Sequence, residues 1–326
     1  MEFNFLIASE RSGSNLITKL IGAHSTYCAP SPPHLIRAFY DKVDAYNKLN
    51  IDDNWGALVE DFLEMFNAKI ATWNTTIDFE ELYHIKDKSF VGLIHYSYKK
   101  EATIEHKNSI FIKEVKTYKL FDFLQKHFPN AKFVYLVRDP RDMALSWKNS
   151  PVHRGDLVRA AKIWQEDQSQ SIALLEKYPE KLFLIRYEDL VSNQEEELKK
   201  VCSFLGIAFE KSMLDFHKSK LSVENAKQTD NWKNLNKGIL SNNLKKYLGK
   251  LTENEIAYIE YVGAKEMNYL NYKLETPILE DKIFQEIETE ILSKERFDKP
   301  EYNLVADEEK IKRNLCMKTF NKIKSL

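Results

Sequence analysis

Cysteine is scarce in this 326-residue chain: Cys28, Cys202 and Cys316 lie far apart and fit no metal-binding spacing. An odd count with no framework excludes a disulfide scaffold and points to a reducing compartment. Positive charge is not in excess either. The 48 Lys+Arg against 49 Asp+Glu leave a formal charge of -1. That excludes a general nucleic-acid binder, whose footprint is basic, but leaves room for a local basic pocket. No apolar stretch approaches the ~18 residues of a membrane span. The apolar run at Phe3 has no basic region before it and no small-residue cleavage site after it, so no signal peptide is expected. Internal repeats and low-complexity tracts are missing as well. The chain reads as soluble and cytoplasmic. What it does have is a large supply of core: 43% hydrophobic residues, with 19 Phe and 16 Tyr. That suffices for one large α/β domain or two smaller ones.

Residues 5–15 read FLIASERSGSN. An apolar strand, Phe3–Ala8, turns into the loop Ser9–Gly13, and a helix follows from Ser14 to about Ala23. Strand, Gly-containing hydroxyl-rich loop and helix N-terminus together form an anion-binding geometry. The loop is not a Walker A motif. It lacks the earlier glycine, and Ser14 and Asn15 follow Gly13 where a lysine belongs. On its own it could equally be a βα turn capped by serine. A short strand near 26–29 runs into Pro30, Ser31, Pro32 and Pro33, and residues 35–108 show helical spacing. Strands are expected at 109–115, 132–137 and 181–186. Helices are expected at 118–127, from Pro140, and at 156–177, 193–205 and 252–268. Alternating strands and helices predict a doubly wound parallel sheet of P-loop-like α/β type, with ligands at the carboxyl ends of the strands. Residues 275–326 are charged, with helical spacing near 280–294 and 307–323.

Three strand ends carry candidate chemistry. Arg138 closes the apolar strand FVYLV and wants an anion there. Asp139 and Asp142 read as helix-capping residues, with Pro140 at the first helical position. Ser146 follows two turns into the helix. Lys113, in Ile112-Lys113-Glu114, would be costly to bury unpaired. Glu114 should face away from it, because side chains alternate along a strand. Tyr187 ends the strand LFLIR and could pack on a base, while Glu188 and Asp189 suit the start of the next helix.

The ordered set RSGSN, IKEV, FPNAKFVYLVRDPRDMALSW and RYEDL resembles the sulfotransferases that use 3′-phosphoadenosine 5′-phosphosulfate (PAPS), over residues 3–34 and 109–270. The resemblance implies a sulfotransferase domain, expected over 1–274; it covers neither 35–108, a helical insertion too long for a simple βαβ crossover and a candidate acceptor cap, nor the charged helical extension 275–326. It implies that Arg11, Ser12, Gly13, Ser14 and Asn15 hold the 5′-phosphosulfate, and that Arg138 and Ser146 hold the 3′-phosphate. Lys113 would sit at the transferring sulfuryl group and Tyr187 at the adenine. Lys237 and Gly238, in Asn236-Lys237-Gly238-Ile239, resemble the segment that closes over the 3′-phosphate, although an arginine of that segment is Asn236 here. Segments 244–253 and 270–272 would be closing helices. The products would be a sulfated acceptor and PAP (3′-phosphoadenosine 5′-phosphate), with no metal required.

The general base is not fixed by the motifs. Ser31 stands where some relatives carry a glutamate, and the nearest ionisable group is His34, held after two prolines and with a suitable chemistry. His24 reads as a helix-end residue, and His95 and Glu114 are further candidates. Tyr40, Tyr46, Trp55, Phe62, Phe66 and Trp73 in the insertion could line an acceptor pocket for a small molecule, glycan, lipid or peptide, or could be core. Two other functions compete: a P-loop-type small-molecule kinase with Asp139 on Mg²⁺, and a non-catalytic adenine-nucleotide-binding module.

Overall fold

The structure is a computed structural model that describes residues 1–229, 232–239 and 243–326. Five strands form one sheet in the order β2-β3-β1-β4-β5: β1 (Glu2–Ala8), β2 (Tyr27–Cys28), β3 (Ser109–Lys113), β4 (Phe133–Val137) and β5 (Leu182–Arg186). Every pairing is parallel. From β1 the chain goes to the edge strand β2, returns inward to β3 beside β1, and then crosses to β4 on the other side. The switch point therefore falls at the carboxyl end of β1, where ligands bind in open α/β sheets. The register brings Leu6 beside Lys113, Ala8 beside Leu136, and Val137 beside Arg186. Three strand ends thus converge on one crevice.

Period-two alternation divides the core between the sheet faces. Phe3, Phe5, Ile7, Ile110, Ile112, Phe133 and Tyr135 bury on one side, and Leu6, Phe111, Val134 and Leu136 on the other. The second face is covered by α1 (Ser14–Gly22), α9 (Tyr187–Ser192) and α10 (Gln194–Leu205). The first is covered by α2 (Leu35–Phe39), α3 (Asp52–Asn67), α5 (Phe90–Ile104), α6 (Phe121–His127), α7 (Pro140–Lys148) and α8 (Leu157–Lys177). The short α4 (Phe79–Tyr83) lies in the insertion. Trp55, Phe62, Phe66, Trp73 and Tyr46 are core residues of this first face, with Tyr40 half-buried against it. None of these aromatics lines either of the two cavities at the strand ends.

The helix expected at 118–127 opens as a 3₁₀ turn over Thr117–Leu120 before α6 begins. Residues 244–251 form turns rather than a closing helix, and the next long helix, α12, spans Glu253–Tyr269. Between α10 and α12 lies α11 (Lys220–Ala226).

The C-terminal extension is built into the body. Glu260 on α12 accepts hydrogen bonds from the backbone N–H groups of Glu275 and Thr276. On α13 (Asp281–Lys294), Phe284 stacks on Tyr258 and Tyr261. Glu295 accepts from the N–H groups of Asp156 and Val158 at the start of α8. That satisfies helix donors that have no intrahelical partner. The final helix, α14 (Asp307–Lys324), packs on α2 and α3 of the insertion.

Candidate active site

The anion loop owes its shape to two left-handed residues, Arg11 (φ 65°) and Gly13 (φ 88°). Gly13 is the N-cap of α1 and no side chain caps that helix. The serine-cap reading of this loop therefore does not hold, and Gly13, Ser14 and Asn15 at the start of α1 line the crevice. Gly13 is also required by a close approach. A Cβ there would stand 2.4 Å from a ring carbon of Tyr187. The Ser12 hydroxyl is buried and finds no partner among the described residues.

A cavity of about 440 Å³ opens beside this loop. Arg11, Gly13, Ser14, Asn15, Arg138, Ser146, Tyr187, Lys237 and Gly238 all line it, so the structure gathers most of the expected cofactor residues. Arg138 is buried; its guanidinium donates to the carbonyls of Arg11 and Asn243 and lies 4.6 Å above the Tyr187 ring. Its Nε has no partner among the described residues. The Tyr187 hydroxyl accepts from Asn243 Nδ2 at 2.6 Å. Arg11 Nε donates to Ser146 Oγ at 3.1 Å, which joins the two ends of the expected cofactor site. Lys233, Lys246 and Lys250 also line the cavity and were not singled out from the sequence. Lys246 and Lys250 stand four residues apart, a basic spacing that could have revealed them. Among the described residues, six with cationic side chains (Arg11, Arg138, Lys233, Lys237, Lys246 and Lys250) therefore line the cavity with one carboxylate, Asp142.

Asp142 is not a helix cap. Its Oδ1 accepts from the Tyr247 N–H and holds the 243–251 turns against the cavity, while burial raises its carboxyl pKa against the pull of Arg138. Asp139 does cap α7 through the Arg141 N–H, but both its oxygens are also taken by the Arg141 guanidinium. Glu188 meets its own N–H in the first turn of α9, but it also reaches beyond that helix. It accepts from the Asp139 N–H and from the Tyr272 hydroxyl, which ties the 270–272 segment to the end of β4.

A smaller cavity of about 140 Å³ adjoins the first and shares Arg11, Ser14, Asn15 and Trp232 with it. Lys113, His34 and Glu114 line it, together with Glu10 and His153. Glu114 was expected to face away from Lys113. The strand ends at Lys113, so alternation no longer governs the next residue, and both side chains enter the same cavity. Lys113 Nζ donates to Asn15 Oδ1 at 2.5 Å. Burial pushes its pKa down to about 8, with Glu10 opposing and Lys19 and Arg11 adding to the fall.

His34 is itself left-handed, at φ 60°, and its Nδ1 lies 3.0 Å from Glu114 Oε2. Glu114 is buried, and its other oxygen accepts from the Ile36 N–H. A carboxylate on Nδ1 places the imidazole proton there and leaves Nε2 as a proton acceptor. The Glu10–His153 pair at 3.3 Å escaped the sequence reading, since the two are 143 residues apart. Burial lowers the His153 pKa despite Glu10. His24 bonds the Ala208 carbonyl and sits outside both cavities. His95 stacks on Phe3, near the amino-terminal edge of the sheet, and cannot reach the crevice. Among the described residues no cluster of His, Cys, Asp and Glu is arranged to hold a metal ion. No helix among them is long and apolar enough to cross a membrane.

The geometry has counterparts in known proteins. The sulfotransferase domain of the Synechococcus PCC 7002 olefin synthase superposes with a TM-score of 0.58 at 18% identity, covering 84% of this chain and 96% of that one. The two share a fold. A Caenorhabditis briggsae protein named "Putative protein-tyrosine sulfotransferase" is 25% identical over 99 residues, and the chain spans only about a third (35%) of its length. The sulfotransferase-family sequence profile matches residues 5–211, from the first strand through the anion loop, Lys113, Arg138 and Tyr187. With well over half of its length matched, this chain belongs to the sulfotransferase family.

Proposed function

We propose that the protein transfers the sulfuryl group of PAPS to a hydroxyl or amine acceptor by in-line displacement. The observation that carries this reading is the cavity whose described lining sets six cationic residues around one carboxylate, opening at the anion loop onto a His–Glu pair. PAPS is anionic at both ends of its adenosine, and a cationic lining of this kind offsets the desolvation of such a ligand. Bound PAPS would supply the activated sulfuryl group.

The loop N–H groups of α1, with Arg11, would hold the 5′ end, and Arg138 and Ser146 the 3′-phosphate. Tyr187, Lys237 and Gly238 would complete that site. Lys113 would stabilise charge on the sulfuryl oxygens during transfer. His34 Nε2, oriented by Glu114 through Nδ1, would take the acceptor proton. The acceptor oxygen or nitrogen forms its new bond to sulfur as the S–O bond to the 5′-phosphate breaks, and PAP leaves. No step needs a metal, because fixed cations and N–H donors supply the charge. The kinase reading loses support from Asp139, whose two oxygens are both occupied by Arg141.

Calorimetry with PAP in EDTA, beside ATP with Mg²⁺, tests the cofactor assignment. PAP should bind without metal and ATP–Mg²⁺ should not compete at equal concentration. The reverse preference refutes the proposal. Turnover of labelled PAPS across phenols, sugars, hydroxylated lipids and tyrosyl peptides then identifies the acceptor class.

A further inference from the structure

Glu10 lies between the end of β1 and Arg11, at the entrance to the anion loop. A carboxylate next to an anion site calls for a reason. Its side chain is half-exposed and lines the smaller cavity with Lys113. It is held in place all the same. His153 Nε2 stands 3.3 Å from Glu10 Oε1, and His153 Nδ1 stands 2.7 Å from Ser150 Oγ. An ionised carboxylate only accepts, so Nε2 carries the imidazole proton and Nδ1 accepts from the serine hydroxyl. The imidazole also packs on the Trp147 ring, with 4.4 Å between centres. Burial lowers the His153 pKa against the pull of Glu10. Packing around Glu10 would raise its own pKa, but the His153 hydrogen bond, Arg37 and Lys113 hold it below the ordinary carboxylate range. The pair is therefore a neutral ring fixing a charged carboxylate.

The two cavities differ in charge. Among the described residues, the larger sets six cationic side chains against one carboxylate. The smaller sets three, Arg11, Lys113 and Arg313 of α14, against two carboxylates, Glu10 and Glu114. Arg313 is also engaged by Glu309, and Glu114 by His34 and the Ile36 N–H. The excess of positive charge thus falls from five to one on passing from the nucleotide cavity to the smaller cavity, histidines aside. A sulfuryl group carries a single negative charge, whereas a terminal phosphoryl group carries close to two at about pH 8. The smaller cavity matches the first and not the second.

We propose that Glu10 is a specificity-determining residue: its carboxylate, fixed by His153, repels a second negative charge on the group to be transferred, and so admits a sulfuryl donor while rejecting its phosphoryl counterpart. The inference rests on the nucleotide reading given above. PAPS and 3′-phosphoadenosine 5′-diphosphate share their adenosine, their 3′-phosphate and nearly their shape. Arg11 and Lys113 attract both, so attraction alone does not separate them. A like charge placed against the unwanted ligand does.

Calorimetry on the full chain at about pH 8, in EDTA and without acceptor, compares the two donors directly. The wild type should bind PAPS about tenfold or more tightly than 3′-phosphoadenosine 5′-diphosphate. Glu10→Gln keeps the shape and an oxygen for His153 but removes the charge, and should cut that ratio to about threefold or less. Glu10→Asp keeps the charge and should retain most of the preference. A carboxylate that merely braces the loop predicts the wild-type ratio in Glu10→Gln, and that result overturns the proposal. A wild type that binds the diphosphate as tightly as PAPS overturns it without any variant. Should Glu10→Gln fail to fold, His153→Phe keeps a ring against Trp147 and releases Glu10; the ratio should then fall by about threefold, and an unchanged ratio counts as refutation. If PAP does not bind the same wild-type samples, the nucleotide reading itself has failed, which separates that case from the others.

Discussion

Replacing Gly13 by alanine tests the loop at its tightest point. Two separate costs arise. At φ 88° an L-residue sits in the left-handed region, which costs about 1–2 kcal/mol. The new Cβ would also stand 2.4 and 2.5 Å from Cδ2 and Cε2 of Tyr187, well inside contact. The ring cannot retreat freely, because Arg138 lies 4.6 Å from its centre and Asn243 holds its hydroxyl. Overpacking of this kind costs about 1–3 kcal/mol. The two terms predict a loss of about 2–5 kcal/mol, read as a lower urea midpoint at unchanged m-value. If the ring does yield, Arg138 loses its platform, and the loss moves from stability to PAP affinity. The double variant Gly13→Ala/Tyr187→Leu keeps the backbone term and removes the overlap. It should therefore be less destabilised than the sum of the single changes by about 1 kcal/mol or more. A single variant within about 0.5 kcal/mol of wild type, with normal PAP affinity, would refute the reasoning.

Three further outcomes are expected. Arg138→Ala should weaken PAP by about 1.5–3 kcal/mol in calorimetry, while adenosine 5′-phosphosulfate, which lacks the 3′-phosphate, is nearly unaffected; equal losses would remove Arg138 from the 3′ end. Lys113 has its pKa lowered by burial to about 8, from an unfolded value of 10.5, so the unfolded chain binds more protons between those values. Wild-type stability should therefore rise relative to Lys113→Met as pH climbs from 8 to 10.5, and parallel stability curves would contradict the burial. Arg141 is buried between Asp139 and Glu260, at 2.6 Å from each. Arg141→Met should cost about 3–5 kcal/mol in urea unfolding, because it removes the cation shared by two buried carboxylates; a near-neutral result would refute that reasoning.

The fold was largely written in local patterns. The all-apolar run at 133–137 announced a strand buried on both faces, and the Gly13 loop announced a helix start. Site residues at strand ends were legible for the same reason, since Lys113, Arg138 and Tyr187 each follow a recognisable apolar run. What could not be read depended on distant contacts. Glu114 looked misdirected until the strand was seen to stop one residue before it. Asp142 and Glu188 resembled caps because nothing nearby in sequence showed that Tyr247 and Tyr272 would come to them. The aromatic insertion could be read as a binding surface or as core, because spacing alone cannot separate a core face from a pocket face.

The contacts of α14 also bear on how the protein is made. Lys322 and Lys324 meet partners 258 and 283 residues earlier, at Glu64 and Asp41. Few contacts in a chain of this length span more sequence, and long-range closure of this sort comes late in folding. During synthesis the sheet and anion loop can assemble while the final helix is still inside the ribosome. The anion loop can therefore take shape before Arg313 reaches the smaller cavity. A chain truncated before α14 would have the sheet and anion loop assembled but would lack Arg313 at the smaller cavity.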